Sequence, residues 1–148
     1  MNATEIVKTG WAAIERGDIP KASTYLAEDF QFSGPVPKPL HKQEFMKMMQ
    51  ALIAGVPDWK FNARNMEAHG HTVEATVQPT GTHTRLLSGL MPGMPDAPPT
   101  GKSFKLSPEH VRITLRGDKI LSIQTDPVPG GGIPGMLQQL GIVMPARP

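Results

Sequence analysis

The 148-residue sequence contains no cysteine, and this absence removes several classes of chemistry. Without a thiol, the chain forms no disulfide, holds no metal through thiolate ligands and has no cysteine nucleophile. The sequence also lacks a cluster of positive charge. The formal net charge is only +2, and the Lys and Arg residues are scattered along the chain. We therefore expect no nucleic-acid partner.

Long hydrophobic runs are also missing from the sequence. No segment approaches the roughly 20 apolar residues that a membrane-spanning helix needs, so we expect no membrane partner. The first ten residues lack a basic segment followed by an apolar one, and we expect no signal peptide. These features are compatible with the cytoplasm, which is the location we predict.

The residues that are present indicate one soluble domain spanning 1–148. Apolar residues make up 39% and charged residues 19% of the chain, as is typical of globular proteins. The 15 Gly and 16 Pro residues are concentrated at 89–101 and 127–135, where we predict long loops.

Hydrophobic periodicity predicts three helices followed by a meander of strands. Apolar residues recur every three or four positions at 7–14, 22–26 and 45–53, with a brief strand at Phe30 and Phe32 before the third helix. From Trp59 the period changes to two, which predicts a strand running through Trp59, Phe61 and Ala63.

A second strand, at 73–77, pairs with the first in this prediction, and Pro79 interrupts it with a bulge or bend. A hairpin with strands at 111–115 and 120–125 and a short helix at 133–140 complete the chain. The class is α+β, with helices on one face of a curved sheet.

Five short motifs carry a resemblance to a known family. They are Pro57-Asp58-Trp59, Gly81-Thr82-His83-Thr84, Pro99-Thr100-Gly101-Lys102, Gly117-Asp118-Lys119-Ile120 and Gln139-Leu140-Gly141. In this order and on this pattern of elements, the chain resembles the SnoaL-like polyketide cyclases (ester cyclase-like) of the nuclear-transport-factor-2-like superfamily. The resemblance implies a cone, in which a curved antiparallel sheet wraps around N-terminal helices and encloses an apolar pocket.

The resemblance also implies an activity. We expect an enzyme that acts on a small hydrophobic carbonyl compound by cofactor-free acid/base catalysis, closing a ring by intramolecular aldol condensation. The alternatives are a non-catalytic ligand-binding protein, an isomerase or dehydratase of the same fold, and a dimeric scaffold, because fold alone does not determine function. Relatives suggest a homodimer through the open face of the sheet.

Asp126 is the nearest match to the aspartate that serves as acid/base in the family, although it could instead be a strand-ending turn residue. If Gly117-Asp118 is a two-residue turn, Leu115 faces Ile120 and every second residue of the two strands shares their face. This register places Glu109, Gln124 and Asp126 on the pocket face, where Glu109 assists Asp126.

A register shifted by one residue would instead set His110 or Arg112 beside Asp126, so His110 is the other candidate assistant. In the first register, which keeps the apolar residues together, His110 points outward. His83 either orients substrate or bonds the neighbouring backbone as a structural histidine.

No His/Asp/Glu set has the spacing of a metal site, and we expect neither metal nor cofactor. The long loop at 86–98, with Met91 and Met94, is predicted to be a lid or a dimer contact. The predicted pocket residues are Trp11, Tyr25, Phe30, Phe45, Met49, Trp59, Phe61, Met91 and Gln124.

Overall fold

A computed structural model describes residues 2–34, 38–90 and 93–142, which form four helices and eight strands. In chain order the elements are α1 (Ala3–Glu15), α2 (Ile19–Ser23), β1 (Leu26–Ser33), β2 (Leu40–His41), α3 (Lys42–Gly55), β3 (Arg64–His69), β4 (Thr72–Val77), β5 (Thr80–Thr82), β6 (Ser103–Lys105), β7 (Glu109–Arg116), β8 (Lys119–Thr125) and α4 (Gly132–Leu140).

Six strands form one sheet in the order β2-β1-β8-β7-β4-β3, and β5 pairs with β6 separately. All neighbouring pairs are antiparallel except β1 and β8, which run parallel. The predicted α+β class with N-terminal helices on a curved, mostly antiparallel sheet is confirmed. None of the helices in the described residues is long and apolar enough to cross a membrane.

Local sequence signals explain where the helices begin and end. The Asn2 side chain accepts a hydrogen bond from the Glu5 backbone N–H at 2.9 Å, and Asp18 accepts one from the Lys21 N–H at 3.3 Å. These caps satisfy N–H groups that have no partner within the helix. Gly141 ends α4 in the left-handed conformation, which glycine adopts without steric cost.

The family-like motifs hold the elements together. A Cβ atom on Gly81 would lie 2.4 Å from Val56 Cγ1, so only glycine allows this close packing. Asp58 Oδ1 accepts a hydrogen bond from the Thr82 N–H at 2.7 Å. Gln139 joins α4 to β6, because its amide donates to the Lys105 carbonyl at 2.8 Å and accepts from the Lys105 N–H at 3.0 Å.

The predicted strand through Trp59, Phe61 and Ala63 is wrong, because β3 begins only at Arg64. In the segment before β3, only Lys60 forms a β-bridge, with Thr80. Asn62 follows with a φ of 51°, a left-handed conformation that interrupts an extended ladder. The alternating aromatic residues therefore face the core from an irregular segment.

The hairpin register is as predicted at the turn and wrong beyond it. Leu115 faces Ile120, but Thr114 faces Ser122, so Leu121 is an extra residue in β8. This β-bulge shifts every later pair by one residue. Val111 therefore faces Thr125 instead of Gln124, and the side chains of β8 beyond the bulge exchange faces relative to the prediction.

The loop at 86–98 folds back on itself against α3. Leu87 and Ala97 exchange backbone hydrogen bonds of 3.0 and 2.9 Å, and a Cβ on Gly55 would lie 2.6 Å from Leu87 Cδ1. Leu87, Leu90, Met94 and Ala97 are buried. These four side chains anchor the loop to the core, whereas Leu86 is 50% exposed, and Met91 lies outside the described residues.

Candidate functional site

An apolar cavity of about 90 Å³ lies between α1, α3, the large sheet and the start of α4. Its walls are mainly aromatic and aliphatic side chains. The lining residues are Trp11, Phe32, Phe45, Met48, Met49, Leu52, Trp59, Phe61, Val77, Pro79, Leu106, Glu109, Val111, Ile123, Thr125, Gly132 and Ile133. Of these described residues, Glu109 alone has an ionisable side chain, so any acid/base chemistry in the cavity depends on it.

Glu109 is the first residue of β7 and is only 3% exposed. Its Oε1 atom accepts a hydrogen bond from the Gly132 backbone N–H at 3.2 Å, at the start of α4. Its Oε2 atom is buried and has no hydrogen-bond partner in the described part of the chain. One carboxyl oxygen is therefore anchored, and the other lies buried in a residue of the cavity wall without a partner among the described residues.

Burial raises the pKa of Glu109 above its ordinary value, because the apolar surroundings disfavour the charged form. The Gly132 N–H acts in the opposite direction and lowers the pKa, but less strongly. A carboxyl with a raised pKa is a better match for proton transfer near neutral pH than an ordinary surface carboxylate.

Trp59 supplies a donor to the same cavity wall. It is 5% exposed, and its indole Nε1 has no hydrogen-bond partner among the described residues. A buried N–H without an acceptor is costly, and such groups are rare in folded proteins. The residues that line the cavity thus include a buried acceptor on Glu109 and a buried donor on Trp59, neither of which has a partner among the described residues.

The prediction that Asp126 and Gln124 face the pocket is wrong. The Asp126 side chain is 74% exposed, Gln124 is also exposed, and neither lines the cavity. The bulge at Leu121 is the physical reason, because it turns these two side chains to the outer face of the sheet. Thr125 reaches the cavity instead.

His110 points outward, as the first register requires, yet it lies beside Asp126 as the shifted register requires. Its Nδ1 is 3.2 Å from Asp126 Oδ2, and its Nε2 is 3.2 Å from Glu74 Oε1. All three side chains are on the outer face of the sheet, where their exposed fractions are 32% or more. The structure does not bring His110 to Glu109 in the cavity.

His83 is fully buried but does not line the cavity. Its Nδ1 accepts a hydrogen bond from the Thr100 backbone N–H at 3.2 Å and is 3.1 Å from Thr100 Oγ1. Backbone hydrogen bonds with Lys102 and Gly101, of 2.9 and 2.8 Å, surround this contact. The placement corresponds to the structural alternative, in which His83 ties together the two ends of the long loop.

Trp11, Phe45, Met49, Trp59 and Phe61, from the predicted pocket set, line the cavity. Phe30 is instead fully buried against Phe45, with ring centroids 5.1 Å apart, and Tyr25 packs on the core away from the cavity. The cavity is also lined by Phe32, Leu106, Thr125 and Ile133, which were not predicted as pocket residues. The spacing of Ile120 and Ile123, three residues apart, is the signal that could have revealed the bulge and hence Thr125.

The structure gives no metal cluster within residues 2–34, 38–90 and 93–142, where no three His, Asp or Glu side chains could hold an ion together.

The sequence from residue 7 to 123 matches the model of the SnoaL-like domain. The chain belongs to the SnoaL-like family. No curated protein matches it in sequence.

Solved structures with the same fold include a candidate polyketide cyclase from Xanthomonas campestris pv. campestris, at 21% identity over 93% of this chain and 96% of that one, with a TM-score of 0.68. IdmH from Streptomyces antibioticus, also a candidate polyketide cyclase, is 20% identical over 96% and 100% of the two chains, with a TM-score of 0.70. AclR from Streptomyces galilaeus, a candidate hydroxylase, is 17% identical over 94% and 95%, with a TM-score of 0.71. At these identities the likeness shows that this SnoaL-like domain shares their fold.

Proposed function

We propose that this SnoaL-like protein is an enzyme that moves a proton within a small hydrophobic carbonyl compound, with Glu109 as acid and base. The observation that carries the proposal is a single buried carboxyl with one unpaired oxygen in an apolar cavity. An aldol-type ring closure needs this arrangement, because the same group must take a proton from carbon and later return it.

In the proposed reaction, Glu109 Oε2 removes the proton from a carbon next to a carbonyl, and the electron pair of that bond forms an enolate. The enolate carbon attacks a second carbonyl carbon of the same molecule, which creates the new carbon–carbon bond and an alkoxide. Glu109 then returns its proton to the alkoxide, so the reaction consumes no cofactor. Gly132 keeps the carboxylate oriented through its N–H.

The indole N–H of Trp59 is the proposed donor to the enolate oxygen. Charge develops on that oxygen in the transition state, and a fixed donor in an apolar cavity stabilises it more strongly than water would. Trp59 lines the cavity with Glu109 and its N–H has no acceptor within the described residues. The same proton transfer without carbon–carbon bond formation would be an isomerisation, which product analysis distinguishes.

Proton abstraction can be tested with methyl 4-oxooctanoate, a neutral ketone with a slender alkyl end. Deuterium incorporation next to the ketone in D₂O, followed by NMR, should be accelerated by the wild-type protein. Glu109→Gln should reduce the acceleration by about 10²–10⁴-fold, the usual contribution of a general acid/base. Asp126→Asn is the matched control and should leave it unchanged. Loss of exchange in D126N with full exchange in E109Q would contradict the proposal.

A homodimer remains part of the proposed function, and the family resemblance supports it. Light scattering coupled to gel filtration should give twice the chain mass of 16.0 kDa. A mass of one chain at micromolar concentration would contradict the dimer without affecting the role of Glu109.

A further inference from the structure

A second space lies directly beside the cavity and shares two of its walls. It is a surface groove of about 410 Å³ between α1 and the beginning of β3. Trp11 and Phe61 line both the groove and the cavity, and their rings stack with centroids 5.4 Å apart. The two spaces therefore meet at one pair of aromatic side chains.

The cavity alone is small for a substrate. Its volume is only about 90 Å³. Ligand sites commonly measure about 300–1,000 Å³. A ligand that occupied both the cavity and the adjoining groove would have a combined volume within that range.

The groove is positively charged where the cavity is apolar. Lys8 on α1 and Arg64 at the start of β3 line it, and neither forms an ion pair within the described residues. Arg64 donates a hydrogen bond to Gln78 Oε1 at 3.2 Å, which orients its guanidinium group.

Glu15 is the acidic residue that lines the groove, and its carboxylate already interacts with other groups of the protein. Glu15 Oε2 accepts a hydrogen bond from the Phe61 N–H at 2.9 Å, and its Oε1 lies 3.9 Å from Lys60 Nζ. Two cations are left to interact with an anion. Asn65 also lines the groove, and its φ of 54° belongs to the irregular pairing of β3 with β4 between Arg64 and Glu67.

We infer that the groove binds the anionic end of an amphipathic keto acid whose apolar end occupies the cavity. Trp11 and Phe61 then contact the middle of the molecule, while Lys8 and Arg64 pair with its carboxylate. This inference rests on the proposed function, because it assigns the substrate class of the same site. The guanidinium of Arg64 can donate two parallel hydrogen bonds to a carboxylate, and Lys8 adds a second positive charge.

Binding of 4-oxooctanoate and of its methyl ester tests the inference, since the two probes differ mainly in the negative charge. The only two tryptophans of the chain, Trp11 and Trp59, line the cavity, so fluorescence quenching reports occupancy directly. At low salt the acid should bind about tenfold more tightly than the ester, and 1 M salt should remove the difference.

The double variant Lys8→Met/Arg64→Met should abolish the preference for the acid and leave the affinity for the ester unchanged, which also shows that the variant is folded. The matched control is Lys47→Met/Arg85→Met, which removes two exposed cations elsewhere and should keep the preference. Equal binding of acid and ester by the wild type, or a preference that survives in K8M/R64M, would overturn the inference. Failure of both probes to bind would instead contradict the proposed cavity site itself.

Discussion

The Oε1 atom of Glu109 accepts a hydrogen bond from the Gly132 N–H at 3.2 Å, where β7 begins and α4 starts. Both residues line the apolar cavity, and Glu109 is only 3% exposed. The two residues are far apart in sequence, yet their contact decides which oxygen of the carboxyl remains free.

The pH dependence of stability should change when Glu109 is replaced. The pKa of Glu109 is raised in the folded protein above the ordinary value of 4.5, so the native state holds this proton when the unfolded chain has lost it. Its contribution to the free energy of unfolding is therefore complete below pH 4.5 and declines as the pH rises from 4.5 through the raised pKa.

Glu109→Gln removes this titration. Urea unfolding at pH 4 and pH 7 should show a smaller loss of stability with pH for E109Q than for the wild type. A tenfold difference between the folded and unfolded ionisation constants corresponds to about 1.4 kcal/mol. Parallel pH profiles for the two proteins would contradict the raised pKa.

Gly131→Ala should displace the carboxyl group of Glu109, because the new methyl group would collide with it. A Cβ at this position would lie 2.8 Å from Val128 Cγ2 and 2.9 Å from Glu109 Cδ, closer than real Cβ contacts allow. We expect a loss of about 1–3 kcal/mol in unfolding free energy, typical of overpacking, together with slower deuterium exchange.

Gly10→Ala is the matched control, because a Cβ at Gly10, in the middle of α1, would have its nearest contacts at 3.8 Å. It should stabilise the protein by about 0.5–1 kcal/mol, and destabilisation of equal size in both variants would refute the explanation.

Trp59→Phe should slow the exchange of methyl 4-oxooctanoate by about 100-fold, the effect of losing one donor to a developing oxyanion. Phenylalanine keeps an apolar ring but lacks the pyrrole part of the indole, so the change removes some volume together with the N–H, and the Trp11→Phe control shares that loss of volume. Trp11→Phe, on the same cavity wall, should have a smaller effect. Equal rates for W59F and the wild type would exclude Trp59 as the donor.

His83→Ala should reduce stability without altering the chemistry. The substitution removes a fully buried ring and its contacts with Thr100, which should cost about 2–4 kcal/mol. His83 does not line the cavity, so the exchange rate per folded molecule should stay at the wild-type level. A selective fall in rate at unchanged thermal stability would give His83 the substrate-orienting role instead.

Much of the fold was predictable because it depends on local patterns. The apolar spacing of Val7, Trp11 and Ile14 determines the buried face of α1, and the alternation from Glu109 through Leu115 determines the inward face of β7. For this reason the position of Glu109 on the pocket face was predictable from the sequence. The five motifs led to the family because they make structural contacts, such as Gly81 against Val56.

The parts that could not be predicted depend on contacts between distant segments. The extra residue Leu121 shifts the pairing of β8 with β7 by one residue. As a result Thr125, and not Asp126, lines the cavity. Periodicity within a strand cannot show a register change against its neighbour. Likewise, the anchoring of Glu109 by Gly132 requires α4 to fold back onto β7, which no local pattern encodes.

The measurement that tests the central claim most directly is a ¹³C NMR titration of the side-chain carboxyl carbon of Glu109, assigned by its absence in E109Q. The account predicts a titration midpoint above the ordinary value of 4.5, since the carboxyl lies in an apolar cavity. Addition of methyl 4-oxooctanoate should also perturb this signal. A midpoint at or below 4.5, with a signal that does not respond to the ketone, would contradict the assignment of Glu109 as the acid and base of this SnoaL-like protein.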